Sequence, residues 1–106
     1  MKFPNDSDGQ VLKMLYNNGV DFNIPVLVDF QVSVPNKENG EKLVELFSNE
    51  GFKAELNYDD EFEEWTCELS KRMLLDYQEI INIQNYIDEI SEPLGGYSDG
   101  WGTFGE

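Results

Sequence analysis

The sequence predicts an α+β fold in which helices cover one face of an antiparallel sheet. Segments that alternate apolar and polar residues are interspersed with segments whose apolar residues follow helical spacing. Each alternating segment has one polar side, whereas strands buried on both faces would be apolar throughout. The chain has 106 residues, of which 40% are hydrophobic. This suits one modest core, so we assign residues 1–106 to a single domain.

The first two predicted elements are a helix and a strand. Polar residues suited to capping precede a helix predicted from about Asp8 to Asn18, with Asp6 or Asp8 as its cap. Gly19 is suited to the left-handed position after this helix. The next segment, VLVDFQVSV, alternates most clearly and predicts a strand with one buried face, which Pro35 ends.

A second helix and a hairpin follow. The segment NKENGEKLVELFSNEG has an apolar stripe at helical spacing, with Gly51 at its end. Gly40 costs this helix about 1 kcal/mol relative to alanine, so we expect its first turn to fray. The alternating runs FKAELNY and WTCELSKRM flank the acidic segment DDEFEE, and two such runs joined by a short polar link predict a hairpin.

The third helix has the most regular pattern. Its apolar residues keep the spacing of three and four that faces a core, Asp76 is placed to cap its start, and Pro93 and Gly95 follow near its end.

The glycine-rich end, GGYSDGWGTFGE, is predicted to fold rather than to form a flexible tail. It carries Tyr97, Trp101 and Phe104, and tails are poor in aromatic residues because nothing buries them. It lacks the Gly-Lys-Ser/Thr of a phosphate-binding loop. We predict a reversal at Gly95, a turn at Asp99-Gly100 and a short strand with a bulge near Gly102.

With that strand, the order after the first helix is β-α-β-β-α-β. This predicts a ferredoxin-like split β-α-β sandwich with an additional N-terminal helix, an antiparallel sheet, and helices two and three on one face. The first helix is free to cover part of the other, polar face. That polar face should carry Asp29, Gln31, Ser33, Lys53, Asn57, Thr66 and Glu68.

The composition excludes several functions. Asp and Glu number 22 against 7 Lys and Arg, for a formal net charge of −15. This charge disfavours direct nucleic-acid binding and anionic membranes and favours a basic protein partner, although it would also serve solubility alone. No apolar run approaches about 18 residues, and the polar start does not resemble a signal peptide. The single cysteine, Cys67, has core-facing parity and indicates a reducing compartment, the cytoplasm.

No histidine is present, so the chain lacks an imidazole base or ligand. The acidic residues of the predicted hairpin could contact Arg or Lys of a partner, hold a hard metal ion, or form a solvated loop that protects a sheet edge. We assign no catalytic residue, metal ligand or cofactor. The predicted partner-binding residues are Asp59, Asp60, Glu61, Glu63, Glu64, Tyr97, Asp99 and Trp101.

Several motifs along the chain resemble those of a known family. The opening PNDSDG and the closing GGYSDGWG, together with LVDFQVSVPN, NEGFKAELNYDD and EEWTCELSKRM, resemble the RraB family of regulators of ribonuclease E activity. The similarity covers about residues 3–104. It implies a ferredoxin-like fold with a leading helix, and an acidic protein that binds the endoribonuclease and modulates its activity without chemistry of its own.

Our principal hypothesis is therefore a non-enzymatic cytoplasmic protein that binds and inhibits a ribonuclease, such as ribonuclease E, through an acidic surface. We expect a monomer or weak homo-oligomer without direct contact to nucleic acid or membrane. The alternatives are an immunity protein or other acidic interaction domain with a different basic partner, a self-associating structural domain, and a carboxylate-based enzyme or metal binder.

Overall fold

The computed structural model describes residues 3–103. It contains α1 (Ser7–Asn17), β1 (Val26–Val34), α2 (Lys37–Ser48), β2 (Lys53–Asp59), β3 (Glu64–Met73), α3 (Tyr77–Ser91), a short 3-10 helix (Glu92–Leu94) and β4 (Tyr97–Thr103). Every predicted element is present. Phe104, the last aromatic of the glycine-rich end, lies outside the described residues.

The four strands form one sheet in the order β2-β3-β1-β4, and each neighbouring pair is antiparallel. Because β1 lies between β3 and β4, the two β-α-β units are interleaved. The fold is the predicted ferredoxin-like sandwich with an additional N-terminal helix.

One face of the sheet packs against the helices. On β1, Val28, Phe30 and Val32 are fully buried, because their alternation points all three toward α2 and α3. Phe47 of α2 is also fully buried, and its ring meets that of Phe52 edge-on with centroids 5.5 Å apart. Burying each such side chain stabilises the fold by about 1.5–3 kcal/mol.

The opposite, polar face is composed as predicted. The strand register pairs Asp29 with Ser70 and Gln31 with Glu68, and these pairs share the face that points away from the apolar core. Asp29 is nevertheless buried, and Ser70 donates its hydroxyl hydrogen to Asp29 Oδ1 over 2.5 Å.

The three helices begin at side-chain caps. Asp6 accepts a hydrogen bond from the Gly9 backbone N–H at 2.7 Å, and Asp76 accepts one from Glu79 at 3.1 Å. Asn36 caps α2 in the same way. These caps satisfy backbone donors that have no partner inside the helix.

The expected fraying of α2 was wrong. Gly40 is buried, and a Cβ atom at this position would lie 2.5 Å from Leu56 Cδ1 and 3.2 Å from Val34 Cγ2. Glycine therefore lets α2 lie close to β2, and this packing holds the first turn despite its low helix propensity.

α1 packs on the helix-bearing side of the sheet. Leu12 and Leu15 belong to the core, and Asp8 Oδ1 accepts hydrogen bonds from Trp101 Nε1 at 2.7 Å and from Gln84 Nε2 at 3.2 Å. α1 is thus fixed to α3 and β4, beside the core and away from the polar face.

β4 confirms that the glycine-rich end folds as far as Thr103, but it corrects two details. Trp101 pairs with Phe30 and Ser98 with Val32, so Asp99 and Gly100 form a bulge opposite one residue of β1. The predicted turn at Asp99-Gly100 and the predicted bulge near Gly102 were therefore both misplaced. Gly100 adopts φ +119°, a backbone conformation that is strained for any residue with a side chain. Gly102, in contrast, pairs in register with Asp29 and lies outside the bulge.

Candidate protein-binding site at the acidic hairpin

The acidic hairpin, residues 59–64, is an ordered turn at one end of the sheet. β2 and β3 stay paired as far as Asp59 and Glu64. Asp59 Oδ1 accepts hydrogen bonds from the backbone N–H groups of Glu61 at 2.9 Å and Phe62 at 3.3 Å. Glu63 has φ +53°, a left-handed conformation that is uncommon for a residue with a side chain.

Behind the turn, two aromatic side chains brace the strands. Tyr58 and Trp65 are directly paired across β2 and β3, and their ring centroids lie 4.7 Å apart. Such cross-strand aromatic pairs stabilise a hairpin by roughly 0.2–1 kcal/mol. These contacts stabilise the acidic hairpin at both its turn and its base.

Four of the five carboxylates at this turn have no side-chain partner within the described residues. Within the described residues, no hydrogen bond or ion pair engages the side chains of Asp60, Glu61, Glu63 or Glu64. All four residues are exposed. The ion pairs Lys37–Glu41 and Lys42–Glu38 lie on α2, are solvent-exposed and have N···O distances of 3.8 Å.

The register adds like-charge pairs along the same two strands. Asp59 lies directly opposite Glu64, and Glu55 lies directly opposite Glu68. Like charges in directly opposed positions destabilise a sheet. A cationic side chain of a partner placed between them would relieve this repulsion.

A cavity of about 610 Å³ adjoins the hairpin, and Asn57, Asp59, Thr66 and Glu68 are among the residues that line it. The side chains of its lining residues carry amide, hydroxyl and carboxylate groups. The hollow therefore offers mainly hydrogen-bond acceptors to a ligand.

Phe62, at the centre of the acidic hairpin, is a candidate contact residue that the sequence reasoning missed. Its side chain is 66% exposed, although it is a large aromatic residue. The signal was present in the sequence, because Phe62 is the single apolar residue in the run DDEFEE. Aromatic residues, Phe included, are enriched at the cores of protein–protein interfaces, so an exposed one is a candidate contact residue.

Of the other predicted site residues, two lie toward the same end of the sheet. Tyr97 pairs with Ser33, which in turn pairs with Thr66, so Tyr97 shares the polar face and is 56% exposed. Asp99 is exposed at the bulge of β4. Strands about 4.8 Å apart place Tyr97 roughly 10 Å from Thr66 across β1.

Trp101 is not brought together with the acidic hairpin. It pairs with Phe30, packs against the core and donates to Asp8. Its position in the structure is that of an anchor for β4.

Reactive groups are few in the described part of the chain. Cys67 is fully buried, and this burial raises the pKa of its thiol to about 11. Among residues 3–103 no group of three or more Cys, Asp or Glu side chains is arranged to hold a metal ion. The helices between residues 3 and 103 include none with the length and hydropathy of a membrane span.

The fold and this surface define a class of protein: a small acidic ferredoxin-like domain with an exposed, unneutralised hairpin. A family model described as RraB, regulator of ribonuclease activity B, matches residues 5–103. The chain belongs to the RraB family, and membership implies a role in regulating ribonuclease activity. No curated protein matches the sequence.

Proposed function

We propose that this protein binds a ribonuclease through the acidic hairpin and the adjoining polar face, and thereby inhibits it. The observation that carries the proposal is the concentration of exposed, unpaired carboxylates around Phe62. Ribonuclease E is the candidate nuclease, because the motifs that resemble the RraB family imply that enzyme.

The inhibition follows from electrostatics. A ribonuclease contacts the phosphates of its substrate with Lys and Arg. A domain with net charge −15 is steered toward that basic surface. At short range, Asp60, Glu61 and Glu64 accept charge-assisted hydrogen bonds, while Phe62 and Tyr97 add apolar contact. The bound domain then competes with RNA for the same cations.

This role needs no catalysis and no cofactor. We propose that the protein acts in the cytoplasm, as a monomer or weak homo-oligomer, without binding nucleic acid or membrane. The polar sheet face carries few of the aromatic and basic residues with which ferredoxin-like RNA-binding domains hold RNA.

The test compares two variants with the same change in net charge. The hairpin variant carries Asp60→Asn, Glu61→Gln and Glu64→Gln, and the control carries Glu45→Gln, Glu89→Gln and Glu92→Gln on exposed helix surface. Each is titrated into purified ribonuclease E that is cleaving a fluorescent RNA. If each lost contact contributes about 0.5 kcal/mol, the hairpin variant loses about tenfold in inhibition.

The control variant is expected to inhibit nearly as well as the parent protein. If both variants lose inhibition equally, net charge alone accounts for the inhibition, and this result would contradict a binding site at the hairpin. Absence of any binding to ribonuclease E, with capture of a different basic nuclease, would favour the immunity-protein alternative. Cleavage or tight binding of RNA by the protein alone would contradict the proposal altogether.

A further inference from the structure

A second surface lies at the end of the sheet away from the acidic hairpin. β1 begins at Val26 and β3 ends at Met73, and these two residues are paired. The hairpin end of the same ladder is the pair Val34 and Trp65, about 26 Å away along β1. A cavity of about 340 Å³ is lined in part by Leu74 and Leu75, which directly follow β3, and we call it the apolar groove.

The floor of the apolar groove is part of the hydrophobic core. Leu12 of α1 is 1% exposed and Leu75 is 5% exposed, and both line the cavity. Its walls are the half-buried aromatic residues Phe3, Phe22 and Tyr77. Apolar floors and aromatic walls are typical of binding clefts.

Ring contacts hold these walls in place. The centroids of Phe3 and Phe22 lie 5.8 Å apart in an edge-on contact, and Tyr16 packs against both at 5.9 Å. Tyr77 donates its hydroxyl hydrogen to Asp6, the cap of α1. These contacts fix the positions of the aromatic walls relative to α1 and to one another.

The rim combines an exposed apolar side chain with negative charge. Leu74 lines the groove and is 48% exposed, although it is a large apolar residue. A second cavity of about 420 Å³ shares Leu74 and Asp76 with the groove and adds Glu79. Among the described residues that line these two cavities, every charged side chain is a carboxylate.

We propose that the apolar groove binds a basic amphipathic segment of the partner protein. The apolar side chains of that segment fill the groove over Leu12 and Leu75, and its Lys or Arg side chains meet Asp76 and Glu79 at the rim. Docking of one helical face into a hydrophobic groove is a recurring mode of peptide recognition. The identification of the partner as a ribonuclease rests on the proposed function, whereas the chemistry of the segment rests on the groove.

A second copy of this chain fits the groove less well. Two grooves face to face would bring Asp76 and Glu79 of both copies together, in a protein of net charge −15. Like-charge juxtaposition of this kind disfavours association. A basic segment in the groove would instead be attracted to Asp76 and Glu79.

The probe is a synthetic amphipathic helix built from Leu and Lys, compared with the same peptide in which each Lys is replaced by Glu. Binding to the whole protein is measured by calorimetry and by backbone amide shifts. We expect shifts at Phe22, Leu74 and Tyr77, with weak or absent binding of the acidic peptide. Shifts confined to the acidic hairpin would overturn the proposal.

A matched pair of variants sharpens this test. Leu74→Lys adds a positive charge at the rim, and Leu46→Lys adds one on α2, where Leu46 is 47% exposed against 48% for Leu74. Leu74→Lys is expected to weaken peptide binding by about tenfold. Equal effects of the two variants would contradict the groove. Self-association of the parent protein that Leu74→Lys abolishes would assign the groove to a second copy and also overturn the proposal.

The two surfaces can fail separately. The hairpin variant described above is expected to bind the Leu/Lys peptide as the parent does, because its changed residues lie at the other end of the sheet. Leu74→Lys is expected to weaken binding to ribonuclease E, while Leu46→Lys is not. If Leu74→Lys binds the nuclease normally while the hairpin variant does not, the proposed function stands and the groove proposal falls.

Discussion

The hydrogen bond between Trp101 and Asp8 joins the glycine-rich end of the chain to α1. Trp101 Nε1 donates to Asp8 Oδ1 over 2.7 Å, and Gln84 donates to the same oxygen over 3.2 Å. Hydrogen bonds to charged groups contribute about 1.5–3 kcal/mol. Because both partners are only partly buried, we take the interaction between Trp101 and Asp8 as about 1 kcal/mol.

A double-mutant cycle measures this interaction. Trp101→Phe keeps most of the packed ring and removes the N–H donor. Asp8→Ala removes the acceptor and also a favourable charge in the first turn of α1, which adds about 0.3–1 kcal/mol to its cost. Urea unfolding of the four proteins, followed by circular dichroism, should show that the double variant is about 1 kcal/mol more stable than the sum of the single effects predicts.

The control cycle pairs Asp8→Ala with Trp65→Phe. Trp65 packs against Tyr58 at the base of the acidic hairpin, so the effects of these two changes should add to within about 0.3 kcal/mol. Equal coupling in the two cycles, or coupling near zero for Trp101 and Asp8, would refute the docking of β4 on α1.

Three further predictions concern single residues. A Cβ at Gly9 would lie 1.9 Å from the Pro4 carbonyl oxygen. Gly9→Ala should therefore lower the free energy of unfolding, measured with urea, by about 1–3 kcal/mol, although alanine favours helices. A stabilised variant would contradict this. The hydrogen bond from Tyr77 lowers the pKa of Asp6 below its ordinary 3.8, and the stability linked to it is lost as the pH falls through that lowered pKa. NMR titration should show the Asp6 pKa rising in Tyr77→Phe, and an unchanged pKa would refute the bond. Burial raises the pKa of the Cys67 thiol to about 11. A disulfide reagent at pH 8 should therefore modify this thiol far more slowly in native than in unfolded protein. Equal rates would contradict the burial of Cys67.

The periodicity of the sequence predicted the elements because each one buries a single face. In β1, Phe30 and Val32 are fully buried on the core side, and in α3 Ile80 and Ile87 keep the same relation at helical spacing. Such patterns are local, so they are legible without knowing how the elements meet. The caps at Asp6 and Asp76 are local in the same sense.

The errors involved contacts between elements that are distant along the chain. Gly40 disfavours a helix when considered alone, and its role becomes clear only when Leu56 of β2 is placed against it. The bulge at Asp99 and Gly100 is set by how β4 pairs with β1, which a dipeptide turn signal does not contain.

The two candidate surfaces differ in how far the sequence reveals them, because one is local along the chain and the other is not. The acidic hairpin is one continuous stretch, so its charge was visible in the sequence, although the exposure of Phe62 was not. The apolar groove joins Phe3, Phe22 and Leu74 from three separate segments. Phe and Leu are residue types that usually lie in a core, so the sequence gives no sign of a binding site at these positions. Only the tertiary structure shows that their arrangement leaves a cleft.

The acidic residues themselves separate into two groups by what they do in the fold. Asp6 and Asp76 cap helices, Asp8 holds Trp101, and Asp88 accepts a hydrogen bond from the Ser98 backbone N–H at 2.6 Å. Within residues 3–103, the carboxylates of the hairpin beyond Asp59 have no such role, and they are concentrated in a braced turn. If the excess acid served solubility alone, neutralising any three exposed carboxylates would have equal consequences, whereas a binding site makes the consequence depend on position. The comparison of hairpin and helix variants therefore tests the purpose of the charge as well as its location.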